Sequence, residues 1–388
     1  MLIKPYIIPT RIVYNSVYRR SRWYSSKIIE LDSKKSDAEA ATEKIITDKF
    51  QHLRSKYQSP HYPIVLCHGF SGFDKLDIIP YFNPFESLAQ SSPKKVKKAV
   101  KKGLLQIDYW YGIQEALEKL GSTILVAKVS AFGTIEERSH QLHDFINQQC
   151  HDLISSSKQK VYNNENTHHS DKSLSDHFEN EPIKVNLVSH SMGGLDSRFL
   201  IHQLANNQLK NPYYKVASLT TIATPHHGSE CADFIVDIAK GNPILESLCP
   251  KSVFELTTHS LKKFNEQVPP DPEVQYFSYG ARFDPRWFNM FNITWRIMKH
   301  EIKSRHKRFE ANDKFKKLMY DNDGIVSVES AKWGNYIGTL DQVDHLDLIN
   351  WTNKTKKVVD KLLFNEESKF NAIALYLDIA DNLAKKGV

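Results

Sequence analysis

Two rhythms of apolar residues alternate along the chain. Short, nearly unbroken apolar runs occur at 62–67 (YPIVLC), 123–129 (TILVAKV), 184–189, 216–223, 274–279 and 336–340. Runs of that length bounded by turn residues predict buried β-strands. Between them lie stretches in which apolar residues recur every three or four positions, around 110–120, 134–154, 193–206, 231–239 and 256–267. In the second of these, Leu142, Phe145, Ile146 and Leu153 share one helical face, and Thr134 with Glu137 forms a capping box at its start. Strand and helix in alternation predict an α/β fold, a mostly parallel sheet covered by helices on both faces. No internal repeat is visible.

Two stretches interrupt the series. Residues 155–182 are polar and rich in Asn, Ser and His, which predicts a surface insertion without regular structure. The pair His168-His169 within it lacks the Cys or carboxylate spacing of a metal site. Residues 283–320 are aromatic-rich with helical periodicity and predict a helical cover over a cleft.

Composition narrows the class. The 388 residues suit one large domain or two modest ones, with 40% hydrophobic content. No apolar run approaches the roughly 18–20 residues of a membrane-spanning helix. Cys67, Cys150, Cys231 and Cys249 are too widely spaced to read as a disulfide scaffold or a zinc site. The formal charge of +7 is uneven, since residues 1–29 hold six basic residues and no acid. Six more lysines crowd into 94–102 (KKVKKAVKK), so everything outside the two patches is mildly acidic. A nucleic-acid-binding surface is therefore not expected.

The first segment carries Arg, Ser and interleaved apolar residues without acids, the composition of a mitochondrial transit peptide. Arg22-Trp23-Tyr24-Ser25 resembles a matrix-peptidase site and predicts cleavage after Tyr24, leaving a charge of +2. No continuous apolar core of a secretory signal is present. The expected organisation is a transit peptide over 1–24, an extension over 25–58 and one catalytic domain over 59–388, in the matrix or on the matrix face of the inner membrane.

Chemistry concentrates at 185–194, Val-Asn-Leu-Val-Ser-His-Ser-Met-Gly-Gly. A strand, a serine flanked by small residues and a following helix make a nucleophile elbow, in which Ser189 and Gly193 let the backbone turn sharply around Ser191. Helix N-terminal amides behind Ser191 favour developing negative charge. His68-Gly69-Phe70 follows the first strong strand, so the N–H groups of Phe70 and Met192 are the expected oxyanion donors. Asp321-Asn322-Asp323-Gly324 supplies an acid in a turn, and His345 follows the last predicted strand. The order Ser, Asp, His is that of the α/β-hydrolases. Asp323 is preferred over Asp321 because Gly324 suits a tight turn, and Asp344 is too near His345 to orient it. These residue types suit an acyl-enzyme hydrolase with Ser191 as nucleophile, His345 as base and Asp323 as its orienting acid.

The segments 62–70, 186–195, 221–229 (TIATPHHGS), 322–328 (NDGIVSV) and 344–347 (DHLD) resemble bacterial true lipases and, more closely, fungal mitochondrial triacylglycerol lipases. The resemblance runs from about 60 to 352. It implies an α/β-hydrolase fold with helical lid or insertions and a triacylglycerol lipase acting through Ser191, Asp323 and His345, with Phe70 and Met192 as oxyanion donors. An esterase, thioesterase or acyltransferase on other lipids, or a scaffold without chemistry, are the alternatives. It also implies a structural calcium near Asp347, but Glu301, Glu310 and Asp313 are only candidates for the second carboxylate. The reading taken is no cofactor, with Asp347 as a hydrogen-bond acceptor. The disulfide of the bacterial enzymes has no counterpart, because Glu329 stands at its second cysteine. Segments 230–260 and 283–320 are the lid candidates. The lysine knot at 94–102 has the pattern of a basic helix meeting a lipid surface. Oligomeric state is not legible.

Overall fold

The structure, a computed structural model, describes residues 44–70, 75–77, 106–165, 181–210, 212–285, 287, 289–305, 320–351 and 370–388. The transit segment 1–24, the lysine knot 94–102, residues Glu310 and Asp313, and the greater part of the expected insertion lie outside them.

Nine strands are described, β1 (Ile45–Ile46), β2 (Ile64–Cys67), β3 (Lys75–Asp77), β4 (Gln106–Asp108), β5 (Ile124–Val126), β6 (Ile183–His190), β7 (Tyr214–Ile222), β8 (Gln275–Arg282) and β9 (Asn335–Asp341). Seven of them form one sheet in the order β1-β9-β8-β7-β6-β2-β5, with every pairing parallel. β3 and β4 pair antiparallel as a separate ribbon after the first loop of interest.

The pleat explains the layers. In β2, Ile64 and Leu66 enter one apolar cluster while Val65 and Cys67 enter another on the opposite face. The first cluster is closed by α1 (Ile113–Lys119) and by the C-terminal helix α10 (Ala372–Lys385), through Ile113, Leu117, Leu375 and Ile379. The second is closed by α2 (Ile135–Glu165) and α3 (Gly193–Ala205), through Leu142, Ile146, Leu200 and Ile201. Helices therefore cover both faces, as an all-parallel sheet requires.

The excursions gather at the carboxyl ends of the strands. Between β7 and β8 run α4 (Glu230–Ala239), α5 (Pro243–Leu248), α6 (Lys251–Glu255) and α7 (Thr258–Gln267). Between β8 and β9 come α8 (Asn292–Arg305) and the short α9 (Val328–Ala331). That second excursion returns to its starting point, because Phe283 N–H donates to Asn322 O at 3.2 Å. The turn 321–324 is thereby brought back beside the end of β8.

Two boundaries differ from expectation. Helix α2 runs on to Glu165, eleven residues into the stretch expected to lack structure. The physical reason is that no Gly or Pro occurs between Thr134 and Glu181 to stop it. Residues 45–58, expected as an extension, belong to the fold: β1 pairs with β9, and Lys49 and Arg54 bind Asp378 of α10 at 2.7 and 2.8 Å. Arg54 also reaches Asp381 at 2.8 Å, and Gln58 N–H donates to the same carboxylate at 2.9 Å. Among the described residues no helix is long and apolar enough to cross a membrane.

Candidate active site

Strand β6 ends at His190, and the chain turns into α3 within two residues. Ser191 occupies that turn with φ of +55°, a left-handed conformation that costs an L-residue of order 1–3 kcal/mol and persists only where its surroundings enforce it. They do so from three sides. Ser191 O accepts from Gly194 N–H at 3.1 Å and from Thr224 Oγ1 at 2.7 Å, while Ser191 N–H donates to Ile222 O at 2.9 Å. A Cβ on Gly193 would lie 2.6 Å from His68 O, so glycine is needed there for the turn to pass under the neighbouring loop. Ser189, standing where a glycine is usual, is accommodated because its Oγ lies 2.8 Å from Ser197 Oγ on α3.

The loop after β2 lies directly against the serine. A Cβ on Gly69 would come within 2.6 Å of Ser191 Cβ. Arg138, a wholly buried side chain of α2, holds this loop from behind: Nη2 donates to His68 O at 2.8 Å and Gly69 O at 3.3 Å, and Nε donates to Asp196 Oδ2 at 2.8 Å. In a trans peptide the carbonyl and the following N–H point in opposite directions. Anchoring Gly69 O on Arg138 thus directs Phe70 N–H away from Arg138. Neither Phe70 N–H nor Met192 N–H is used by another acceptor among the described residues. Burial pushes the Asp196 carboxyl up to about 6 against the pull of Arg138, so the ion pair is held by geometry at an electrostatic cost.

Asp323 and His345 meet across the sheet ends. His345 Nδ1 lies 2.6 Å from Asp323 Oδ2, and His345 N–H donates to Asp323 O at 3.0 Å, so main chain and side chain fix the same pair. The other carboxylate oxygen accepts from Ile325 N–H and Val326 N–H at 3.1 and 2.8 Å. The turn depends on Gly324, whose φ is +108° and whose Cβ would stand 2.6 Å from Phe291 Cβ. The other two acids have different partners. Asp321 pairs with Arg282, which also binds Asp341, and Asp344 accepts from Asn289 Nδ2 at 3.0 Å and from the N–H groups of Leu346 and Asp347.

His345 packs on His190, the residue preceding Ser191, with ring centroids 4.5 Å apart. No hydrogen bond joins Ser191 Oγ to His345 in this structure; such contacts commonly tighten only when substrate is present. Ser191 and His345 are 6% and 4% exposed, so both are largely shielded from water. Asp347 Oδ2 accepts Asp344 N–H at 3.1 Å, a turn-forming role. No group of three or more His, Cys, Asp or Glu able to hold a metal ion is found among the described residues.

The charge reading missed Arg138, Tyr109 and the clasp on Asp378. The residue pattern does not distinguish Arg138 from a solvated arginine on an amphipathic helix; besides Ser130 O at 2.5 Å, its carbonyl partners come from a loop about 70 residues earlier. Tyr109 had no signal beyond its place in an aromatic run.

The chain has recognisable relatives among known proteins. The chain is 36% identical over 361 residues to triacylglycerol lipase 2 of Saccharomyces cerevisiae, covering 88% of this chain and 97% of the yeast protein. Among solved structures it is similar to lipase 1 from Pelosinus fermentans (TM-score 0.51, 18% identity, 84% of this chain and 99% of that one). It is also similar to EstA from Clostridium botulinum (TM-score 0.50, 18% identity, 90% and 97%). These two likenesses speak for the fold, an α/β-hydrolase. No family model matches the chain.

Proposed function

The chain belongs to the triacylglycerol lipase family, and from that premise we propose that it hydrolyses fatty-acyl esters, triacylglycerol foremost, through an acyl-enzyme on Ser191. One observation carries the assignment of roles: a buried His345–Asp323 pair at 2.6 Å lies against the elbow that holds Ser191 at positive φ, beside two N–H groups that no acceptor among the described residues uses.

Because Asp323 accepts at Nδ1, His345 has Nε2 free to take the Ser191 proton. Ser191 Oγ then bonds to the ester carbonyl carbon, and the carbonyl oxygen becomes an oxyanion facing Phe70 and Met192 N–H. Each such donor is typically worth on the order of 10²–10³ in rate. Collapse breaks the ester C–O bond, and the alcohol leaves with the proton from His345. Water, deprotonated by the same imidazole, releases the fatty acid and restores Ser191. Throughout, Asp323 stays ionised and stabilises the transient imidazolium.

An apolar surface supports a lipid substrate. Ile238, Ile244 and Leu248 in the 230–260 excursion are 55%, 71% and 53% exposed, and Trp287 and Ile293 of the other excursion are 87% and 72% exposed. Helix α5 buries none of its residues. The 230–260 segment is the better lid candidate on this ground.

We further propose that residues 1–24 direct the chain to mitochondria, that 59–388 with the strand at 45–46 forms the hydrolase domain, and that the 94–102 lysines add peripheral membrane contact. Import of the full chain into isolated mitochondria, with N-terminal sequencing of the product, tests the first; a protected, shortened product beginning at Ser25 is expected. For the activity, wild type and Ser191→Ala are compared on triacylglycerol and phospholipid emulsions and on acyl esters of graded length. Wild type is expected to release fatty acid from triacylglycerol and the variant none. Cleavage of phospholipid alone overturns the substrate; an active Ser191→Ala overturns the mechanism.

A further inference from the structure

A second hydrogen-bonded chain runs behind the serine and touches both halves of the site. Gly69 N–H donates to Tyr109 Oη at 2.9 Å, and Tyr109 Oη lies 2.7 Å from His190 Nδ1. The Tyr109 oxygen accepts from the Gly69 amide, and among the described residues His190 Nδ1 is the one other partner within reach of its proton, so the hydroxyl donates to His190. His190 Nδ1 is then an acceptor, and the neutral ring carries its proton on Nε2.

That ring is 1% exposed and lies against the His345 imidazole at 4.5 Å between centroids, inclined by 44°. Phe291 also approaches His345, edge-on at 6.5 Å. His345 thus meets two rings while Asp323 holds its Nδ1. We propose that Tyr109 and His190 are positioning residues: one proton-ordered chain sets the Gly69 peptide beside the oxyanion donors and locks the neutral imidazole on which the base His345 rests.

The consequence rests on the hydrolase reading above. When His345 becomes an imidazolium, the ring facing it must be uncharged, because a second cation at this distance opposes the transition state. A neutral imidazole presents instead an electron-rich face to the new cation. Burial, and after it the charge on His345, hold His190 well below the ordinary histidine range, in keeping with that role. At its other end the chain ties down Gly69 N–H, one peptide before Phe70. Tyr109 itself is 3% exposed and packs on Trp110 at 5.0 Å, so the oxygen at the junction is firmly placed.

Three variants separate the parts. Tyr109→Phe removes both hydrogen bonds, His190→Asn keeps an acceptor near the Nδ1 position without the ring, and His190→Phe keeps the ring without the acceptor. Tyr109→Phe is expected to lower kcat by about tenfold or more while KM changes less than about threefold, the signature of interactions realised in the transition state. The imidazole ¹⁵N spectrum, with His190 assigned by its loss in His190→Asn, should show Nε2 protonated in wild type and a tautomer mixture in Tyr109→Phe. His190→Asn and His190→Phe are each expected to lose kcat more than KM. Wild-type kcat in Tyr109→Phe with an unchanged tautomer overturns the proposal. Should Tyr109→Phe not fold, wild-type kcat in His190→Asn does the same. Fluorophosphonate labelling keeps the two readings apart. If wild type does not label, the Ser191 reading has failed; if it labels and the variants label at the same rate, only the positioning roles have.

Discussion

Replacing Gly69 by alanine tests how closely the loop after β2 is fitted to the serine. The added Cβ would lie 2.6 Å from Ser191 Cβ and 3.1 Å from both Ser191 Oγ and His190 O. Carbon atoms at rest stand about 3.5–4.0 Å apart, so roughly 1 Å must be found. The elbow has little to give, since Ser191 is already pinned at both its N–H and its carbonyl. The loop has little more, held by Arg138 at two carbonyls and by Tyr109 at Gly69 N–H. The movement therefore falls on Phe70 N–H and Ser191 Oγ together. A misplacement of about 1 Å at a reacting group costs on the order of 10²-fold in rate, and overpacking of this kind costs about 1–3 kcal/mol of stability. Expected, then, is a roughly 10²-fold lower kcat on a soluble acyl ester, at nearly unchanged KM, in a protein that still folds. Urea melts supply the stability. Gly121→Ala is the control: φ there is +97° but nothing lies within 4 Å of the new Cβ, so it should lose stability and keep its kcat. Equal kcat in Gly69→Ala and wild type would refute the premise that the loop and the nucleophile are one packed unit.

Three further outcomes follow from the same geometry. Asp323→Asn should lower kcat by about 10⁴-fold, while Asp321→Asn, which removes one of the two carboxylates on Arg282 and leaves the His345 pair intact, should stay within about threefold; steady-state kinetics on one ester decides between them. Thr224→Val removes a donor to Ser191 O while Gly194 N–H remains, so a loss of about 1 kcal/mol in urea melts is expected, and no loss would show that the hydroxyl is idle. Burial alone would raise the Asp381 carboxyl, but hydrogen bonds from Lys385, Arg54 and Gln58 N–H outweigh it and bring it down to about 2. A depressed carboxylate stabilises fully above its unfolded value of about 3.9 and loses that contribution as pH falls through its folded value. The stability gap between wild type and Asp381→Asn should therefore narrow between about pH 4 and pH 2, and a gap independent of pH would exclude the ionic account.

Residues whose placement depends on local chain geometry were legible in the sequence. Ser191 sits at a strand-to-helix turn that small neighbours permit, and Gly324 marked the turn that carries Asp323. Each of the six predicted strands also has its counterpart in the sheet. What escaped depends on distant partners. Ile45-Ile46 is too short to read as a strand and forms one only because β9 offers an edge. Helix α10 went unread although Asn371 caps it and ten of its residues are buried, because the motifs ended near 352. Arg138 shows the limit most clearly: its periodicity predicts a helix correctly, but it takes the carbonyls of Ser130, His68 and Gly69 and the Asp196 carboxylate together to make an interior position tolerable for a guanidinium.

The clasp between residues 45–58 and helix α10 also sets an order of events. A ribosome releases the strand at 45–46 long before the aspartates at 378 and 381. Until those aspartates emerge, Lys49 and Arg54 have no counter-charges, and the face of the sheet covered by Leu375, Ile379 and Leu383 stays open to water. Completion of this core must therefore wait until α10 has been made. For a chain proposed to be threaded through membranes before it works, that order would be an advantage, because the first and second halves of the clasp are more than 300 residues apart and neither can fasten without the other.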